Sequence, residues 1–164
     1  MLSNGVSSRD FFSKNLKNKK NCYNRTLQDD LNLGYENEEQ LIPILNKFFN
    51  DNFKNTKEIY GDEFYNYDFE GSNGTRIELK SRRNNYNDYP TTIIPVHKCV
   101  SLDLCPNVFI FNFADGIYYI EWNYNKFKNY ETKMILCKRK NRTDYKEHYL
   151  IPIEDLILLQ KYFV

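Results

Sequence analysis

Three ionisable side chains, Asp68, Glu78 and Lys80, lie on two strand-like stretches joined by a glycine-rich turn. Side chains alternate between the two faces of a β-strand, so Glu78 and Lys80 share one face. A loop over 72–74 with Gly74 in the left-handed conformation predicts a β-hairpin in which Asp68 stands directly opposite Glu78. The Cβ atoms of such a pair are about 5 Å apart.

The apolar residues of the hairpin support the same register. It pairs Phe69 with Ile77 and Tyr67 with Leu79, which gives the hairpin a continuous apolar face. A change of one residue in the loop would turn Asp68 towards that apolar face, so the hydrophobic pattern favours the loop over 72–74.

Two carboxylates placed opposite each other repel, and a fold gains nothing from the pair by itself. A divalent cation removes the conflict, because Mg²⁺ prefers hard oxygen ligands and completes its octahedron with water. Lys80 could then hold an attacking water or stabilise charge that develops on a phosphate. The alternative is a solvent-facing hairpin in which Lys80 only offsets the two acids, since short charged patterns also arise by chance.

Asp68, nine intervening residues and then Glu78-Leu79-Lys80 resemble the core signature of the PD-(D/E)XK nuclease superfamily, which includes restriction endonucleases and Holliday-junction resolvases. The resemblance implies that Asp68 and Glu78 bind the metal, that the Leu79 backbone carbonyl assists, and that Lys80 serves the attacking water. The chain departs from the pattern at Tyr67, where the signature has proline.

The resemblance also places an acidic residue on a helix before these strands. Glu38 fits as a further metal ligand and catalytic residue, because Leu41 and Leu45 follow on the same helical face. Glu39 points further round the helix and ranks second. The alternative for Glu38 is an ordinary acid near a helix N-terminus, where the macrodipole favours it.

The function that follows from the resemblance is a Mg²⁺-dependent deoxyribonuclease, with Mn²⁺ able to substitute and no organic cofactor. We expect an endonuclease that hydrolyses phosphodiester bonds and that is structure-selective or resolvase-like, because the chain has no room for a separate recognition domain. The alternatives are a catalytically inactive nuclease-fold module that binds DNA or protein, and an interaction domain with a coincidental motif.

The net charge of +1 means that any DNA-binding surface must be a local basic patch. The alternative is that the basic runs are ordinary solvated surface. On the element after the hairpin, related nucleases often carry a Gln, His or Lys, and His97 or Lys98 could take that place. The predicted DNA contacts are Arg82, Arg83, Lys98, Lys138, Arg139, Lys140 and Arg142.

The fold class expected is α/β (α+β), with a restriction-endonuclease-like core in which helices flank a mixed central β-sheet. Periodicity and turn signals predict a helix over 37–50, strands within 58–70 and over 75–81, and a polar loop over 84–89. They further predict a short helix or irregular segment over 93–104 and a hairpin of 108–113 with 117–122. The last predicted elements are a helical turn over 124–129, a strand over 147–153 and a closing amphipathic helix over 154–162. Pro43 is expected in the first turns of its helix.

Domain organisation follows from length and polarity. Residues 1–32 lack an apolar period and predict a flexible polar and basic arm, with a short helix near 10–17. Hydrophobic residues form 41% of the chain and aromatic residues 16%, which is enough for one packed domain over 33–164.

The chain is expected to be intracellular, in the cytoplasm or nucleus, with no membrane partner. It has no apolar stretch of membrane-spanning length and no signal peptide at its N-terminus. Its cysteines show no zinc-binding spacing, so they are expected to be reduced thiols. These are Cys22, Cys99, Cys105 and Cys137.

A homodimer is also predicted. Two metal sites related by a two-fold axis would suit cleavage of both strands of DNA. Phe109, Phe111, Phe113 and the strand over 117–122 offer more apolar surface than one face of a small sheet buries, so part of it could form a subunit interface. The alternative is that the predicted helix over 154–162 covers this surface.

Overall fold

The computed structural model describes residues 26–101, 103–139 and 142–162. Its α-helices are α1 (Leu27–Phe49), α2 (Thr56–Tyr60) and α3 (Tyr124–Phe127). Its strands are β1 (Phe53–Asn55), β2 (Phe69–Gly71), β3 (Arg76–Ser81), β4 (Thr91–Pro95), β5 (Val108–Phe113), β6 (Gly116–Glu121), β7 (Thr132–Arg139), β8 (Arg142–Pro152) and β9 (Ile157–Lys161). Short 3₁₀ turns cover Tyr86–Asp88, Val96–Cys99 and Ile153–Asp155.

The strands form two sheets. A six-stranded sheet has the order β1-β2-β3-β5-β6-β9, and a three-stranded sheet has the order β4-β8-β7. In the larger sheet β3 and β5 are parallel while the other neighbours are antiparallel, so the sheet is mixed. The expected mixed α/β class is confirmed.

The first helix is longer than the sequence predicts. The helix expected over 37–50 is confirmed within α1, but α1 already begins at Leu27. Thr26 caps it, because the Thr26 hydroxyl accepts a hydrogen bond from the Asp29 N–H and the Asp29 carboxylate accepts one from the Thr26 N–H. Residues 27–32 are therefore helical and do not belong to an arm, while residues 1–25, with the predicted helix at 10–17, lie outside the described residues.

Pro43 lies in the interior of α1, so its expected place in the first turns is wrong. A proline there lacks the N–H that would bond to the carbonyl four residues earlier. The carbonyl group that loses this hydrogen bond lies on the side of the helix that water can reach, because Pro43 is exposed. The helix continues to its C-cap at Asn50, which has a positive φ of 49°.

Both faces of the six-stranded sheet are covered. Leu41 and Leu45 of α1 are fully buried against one face of the sheet. Against the other face lie Ile94 and Ile151 of the three-stranded sheet and Phe127 of α3. The residues on that face include Phe109, Phe111, Phe113, Tyr118 and Ile120.

This packing overturns the expected exposed aromatic patch. Phe109, Phe111 and Phe113 are buried in full or nearly so. The three-stranded sheet covers them, whereas the sequence-based alternative assigned that place to a closing helix. The argument for a subunit interface at these residues is therefore wrong, and the homodimer itself stays a prediction.

Three predicted elements differ from the structure. Part of 58–70 forms α2, because Asn55 caps the N-terminus of this helix and Gly61, with φ of 69°, ends it. The segment expected to be helical or irregular at 93–104 begins within β4, while its next part, Val96–Cys99, is a short 3₁₀ helix as expected. The expected helix over 154–162 is strand β9, which pairs with the edge of β6.

The remaining sequence-based elements are confirmed. The strand over 75–81 corresponds to β3, the hairpin of 108–113 with 117–122 to β5 and β6, the turn over 124–129 to α3, and the strand over 147–153 to the end of β8. In the part of the chain that the structure describes, no helix combines the length and apolarity needed to cross a membrane.

Candidate functional site

The predicted hairpin register is confirmed at its centre. Phe69 pairs with Ile77, and Gly74 has a positive φ of 81°. The Asp68 N–H donates to the Ile77 carbonyl over 2.9 Å, so the two strands approach each other up to Asp68. Ile77 is buried against α1, and strand alternation turns Glu78 to the opposite face.

The Asp68 side chain is bound to the neighbouring strand. Its Oδ2 atom accepts a hydrogen bond of 2.6 Å from the backbone N–H of Leu79. The side chain thus takes the place of a backbone acceptor just before the first residue of β2, which holds the carboxyl group against β3. The predicted role of the Leu79 carbonyl as a metal ligand stays a prediction.

Glu78 is a buried acid with two lysine partners. The residue is 3% exposed. The Lys80 ammonium group lies 2.5 Å from its Oε1 atom, and the Lys98 ammonium group lies 3.2 Å from its Oε2 atom. Lys98 also donates to the Asn66 backbone carbonyl over 2.8 Å. Because an unpaired buried charge is costly, the two lysines give this acid the charged partners that a buried carboxylate requires.

Glu38 approaches the same place from α1. Its Oε2 atom accepts a hydrogen bond of 2.5 Å from the side-chain amide of Asn55, the last residue of β1. Burial raises the pKa of Glu38, the hydrogen bond from Asn55 opposes the rise, and the negative charge of Glu78 adds to it.

Asp68 is the acid of this group whose negative charge is most strongly opposed by its surroundings. Its carboxyl group lies deep among protein atoms, and burial raises its pKa well above the usual value. The negative charge of Glu78 raises it further, Lys80 opposes the rise, and Glu38 adds a smaller increase. Glu78 is therefore close enough to both other acids to raise their pKa values, and the structure brings the three predicted acids together. We call Glu38, Asp68 and Glu78 the carboxylate cluster.

The carboxylate cluster opens into a cavity of about 640 Å³. Glu38, Asp68, Glu78 and the β3 residues that follow form one wall. The hairpin of β7 and β8 forms the facing wall, with side chains that include Ile135, Cys137, Asp144, Lys146 and His148. The site is therefore a cleft between the six-stranded sheet and an arm of the three-stranded sheet.

Two predicted DNA contacts lie beside the cleft, and one of them is largely engaged within the protein. The Arg82 guanidinium donates to the Ile93 carbonyl over 2.8 Å and to the Thr92 hydroxyl over 3.2 Å. It also lies over the Phe111 ring, and burial lowers its pKa to about 10. Arg82 thus links β3 to β4, while Arg83 lines the cavity.

Of the late basic run, Lys138 and Arg139 lie at the end of β7, and Arg142 begins β8. Lys138 is exposed on β7, and strand alternation places it on the face opposite to Cys137, which lines the cavity. Lys140 and the side chains of Arg139 and Arg142 lie outside the described residues. Contact of this run with DNA stays a prediction.

Of the two residues considered for the next element, Lys98 contacts Glu78 directly and His97 lines the cavity. Sequence reasoning missed Asn55, which holds Glu38, and the pair Lys146 and His148 on the facing wall. The alternation of Lys146 with His148 was visible in the sequence, but nothing local shows that a distant hairpin returns to the carboxylate cluster.

The donor chemistry of the carboxylate cluster fits a hard divalent cation, because it offers oxygens from three acids. In the described part of the chain, however, no three His, Cys, Asp or Glu side chains are arranged so that they could hold a metal ion together. Both oxygens of Glu78 are bound to lysine ammonium groups. Metal binding would therefore require the carboxylate side chains to rearrange and at least one of these lysines to move away from Glu78.

No family model, no curated protein and no solved structure matches the chain. The resemblance to PD-(D/E)XK nucleases thus rests on the residues of the motif and on their surroundings.

Proposed function

We propose that the protein is a metal-dependent deoxyribonuclease that hydrolyses phosphodiester bonds in the cleft between the carboxylate cluster and the β7–β8 hairpin. The observation that carries this proposal is the convergence of Glu38, Asp68 and Glu78, from three separate segments, beside Lys80 and at the mouth of one open cavity. Like charges are costly to bring together in a partly buried site, so their convergence favours a cationic partner.

The residues of the cluster would divide the work. Glu38, Asp68 and Glu78 would hold Mg²⁺, and when bound the ion would stabilise negative charge on a phosphoryl oxygen. The Leu79 N–H keeps Asp68 oriented, and Asn55 does the same for Glu38. Lys80, released from Glu78, would donate a hydrogen bond to the attacking water or to the phosphate.

Lys98 supports the cluster in a different way. Its ammonium group joins the Asn66 carbonyl to Glu78, so it ties the segment before β2 to the acid on β3. We assign Lys98 a positioning role, because it can keep Glu78 oriented when Lys80 turns to the substrate.

The test is cleavage of supercoiled plasmid, linear duplex and a four-way junction in Mg²⁺, in Mn²⁺ and in EDTA. We expect cleavage with either metal ion and none in EDTA. Asp68→Asn, Glu78→Gln and Lys80→Ala should each lower the cleavage rate by about 10²-fold or more, because each removes a group that acts on the reacting phosphate or on its metal.

Glu70→Gln is the matched control. Glu70 is an acid on the same hairpin, but it accepts hydrogen bonds from the Tyr60 and Tyr67 hydroxyls over 2.7 Å and does not line the cavity. This variant should cut at the normal rate. Normal cleavage by all three cluster variants, each shown to be folded by circular dichroism, would place the reaction elsewhere.

A second candidate function is a catalytically inactive module that binds DNA or protein. The observation that favours it is the pair of lysines on Glu78, which already neutralises this acid without a metal. Thermal unfolding separates the two candidates: an active cluster predicts a rise in Tm with added Mg²⁺ that Glu78→Gln removes, whereas an inactive module predicts no rise.

A further inference from the structure

The wall that faces the carboxylate cluster carries its own row of polar side chains. Asp144, Lys146 and His148 alternate along β8, so all three point to one face, and all three line the cavity. On the neighbouring strand Cys137 pairs with Asp144 and Ile135 pairs with Lys146, and both also line the cavity. The row thus belongs to a continuous surface of the hairpin.

Positive charges meet across the cleft at His148. Burial lowers the pKa of His148, and the hydrogen bond to the Lys146 backbone carbonyl opposes this. The charges of Lys80 on β3, of Arg82 just after β3 and of Lys146 on β8 lower the pKa further. The pKa of His97 is lowered by burial and then by Lys146, Lys98 and Lys80. The two walls are therefore close enough for their cations to repel one another, and an anion between them would relieve that repulsion.

The geometry of His148 suits it to bind such an anion. Its Nδ1 atom lies 2.8 Å from the Lys146 backbone carbonyl. A carbonyl oxygen can only accept a hydrogen bond, so Nδ1 must carry the hydrogen. In the neutral ring Nε2 is then an acceptor, and on protonation it becomes a donor that an anionic oxygen can use.

Charges of both signs surround this position. The other basic side chains that line the cavity are those of His97 and Arg83, and the acids are Glu38, Asp68, Glu78 and Asp144. The thiol of Cys137 also lines it. The acids of the carboxylate cluster lie on the opposite wall, so an anion held at β8 would be separated from them by the width of the cleft.

We propose that Lys146 and His148 bind the phosphate next to the one that is attacked, so that the cleft takes a polynucleotide strand and not a single mononucleotide. This inference rests on the proposed nuclease function and names its substrate class. The cavity of about 640 Å³ supports it, because pockets of roughly 300–1,000 Å³ hold ligands much larger than one phosphate group.

The chain is well suited to a direct test, because it contains two histidines. A His97→Gln variant leaves the imidazole signals of His148 alone in the NMR spectrum. These signals are followed in EDTA, where no cleavage occurs, while a short oligodeoxynucleotide or inorganic phosphate is added. Binding should shift the His148 signals and raise the pKa of His148, because a bound anion stabilises the protonated ring.

Fluorescence anisotropy with the same labelled oligonucleotide gives the affinity. Lys146→Ala should weaken binding by about tenfold, the scale of one charge-assisted hydrogen bond. Lys161→Ala is the matched control, since it removes the same charge from an exposed position on β9, which does not line the cavity, and it should weaken binding by less than about twofold. His148→Gln should weaken binding more at pH 6 than at pH 8, since only the protonated ring is a charged donor.

Equal losses in Lys146→Ala and Lys161→Ala would overturn the inference, and so would DNA binding that leaves the His148 signals unmoved. In either case cleavage by the wild-type protein would leave the proposed function standing. The opposite outcome is a protein that neither binds nor cuts DNA, while its His148 signals respond to inorganic phosphate only when Lys146 is present. That result would support the anion site and contradict the proposed nuclease function.

Discussion

At the scale of single residues, Asp68 is held in an environment that opposes its charge. Burial and the charges of Glu78 and Glu38 raise its pKa well above the usual value. The unfolded chain binds the Asp68 proton with an ordinary pKa of about 3.9. Below that pH the proton is bound in both states. As pH rises from there towards the folded pKa, the unfolded state loses its proton first, so the free energy of unfolding falls.

Asp68→Asn should therefore stabilise the metal-free protein at neutral pH. The amide oxygen can still accept the hydrogen bond from Leu79, while the titrating charge is gone. We expect a gain of about 1.4 kcal/mol for each unit by which the native pKa exceeds the unfolded value. Urea denaturation in EDTA from pH 4 to pH 8 measures the gain.

The gain should shrink as pH falls towards 4, because Asp68 is protonated in both states only below the unfolded pKa of about 3.9. A gain that does not change between pH 4 and pH 8 would show that the charge of Asp68 is not its cause. Asp68→Asn is also expected to abolish cleavage. A variant that is more stable but inactive would show that the functional carboxyl group of Asp68 lowers the stability of the fold.

At the scale of elements, the edge of the six-stranded sheet depends on a close approach between β6 and β9. Gly116 pairs with Lys161, and a Cβ atom added at Gly116 would lie 2.9 Å from the Gln160 backbone carbonyl. Backbone atoms cannot move aside as a flexible side chain does, so the two strands would have to separate locally.

Gly116→Ala should lower the free energy of unfolding by about 1–3 kcal/mol, the usual cost of overpacking. Gly34→Ala is the matched control, because Gly34 lies inside α1 with no other atom within 4 Å of an added Cβ. There alanine should raise the free energy of unfolding by up to about 1 kcal/mol through its higher helix propensity. Urea denaturation compares the two variants, and an unchanged Gly116→Ala protein would contradict the pairing of β6 with β9.

At the scale of the whole molecule, the aromatic residues of β5 hold the two sheets together. Phe111 is fully buried between the six-stranded sheet and the elements that cover it, and the Arg82 guanidinium lies over its ring. Phe111 therefore stabilises the interior of the protein. To take part in association between subunits, it would have to lie at the surface.

Phe111→Ala should destabilise the protein by about 3–5 kcal/mol, since it leaves a cavity where a buried ring was. Denaturation measures the loss, and light scattering at micromolar concentration, with and without a four-way junction, reports the oligomeric state. A variant that keeps its stability but changes from dimer to monomer would place Phe111 at a subunit interface. The predicted homodimer is tested by the wild-type protein in the same experiment.

The sequence by itself determined the features that depend on neighbouring residues. Strand alternation and the glycine turn were enough to set Asp68 and Glu78 on one face of the hairpin and Ile77 on the other. The helical period of Leu41 and Leu45 identified the buried face of α1 and the direction of Glu38. These inferences succeed because a turn and a few alternating residues fix the register locally.

Only the tertiary structure decided which elements meet. The segment 154–162 is apolar enough for a short helix or a strand, and the free edge of β6 selected the strand. In the same way, the phenylalanines of β5 became interior residues because β4 and β8 return to cover them. Lys98 reached Glu78, and Lys146 and His148 came to face the carboxylate cluster, through contacts between residues far apart in the chain. Local periodicity carries no information about such contacts, because they depend on how distant parts of the chain pack against one another.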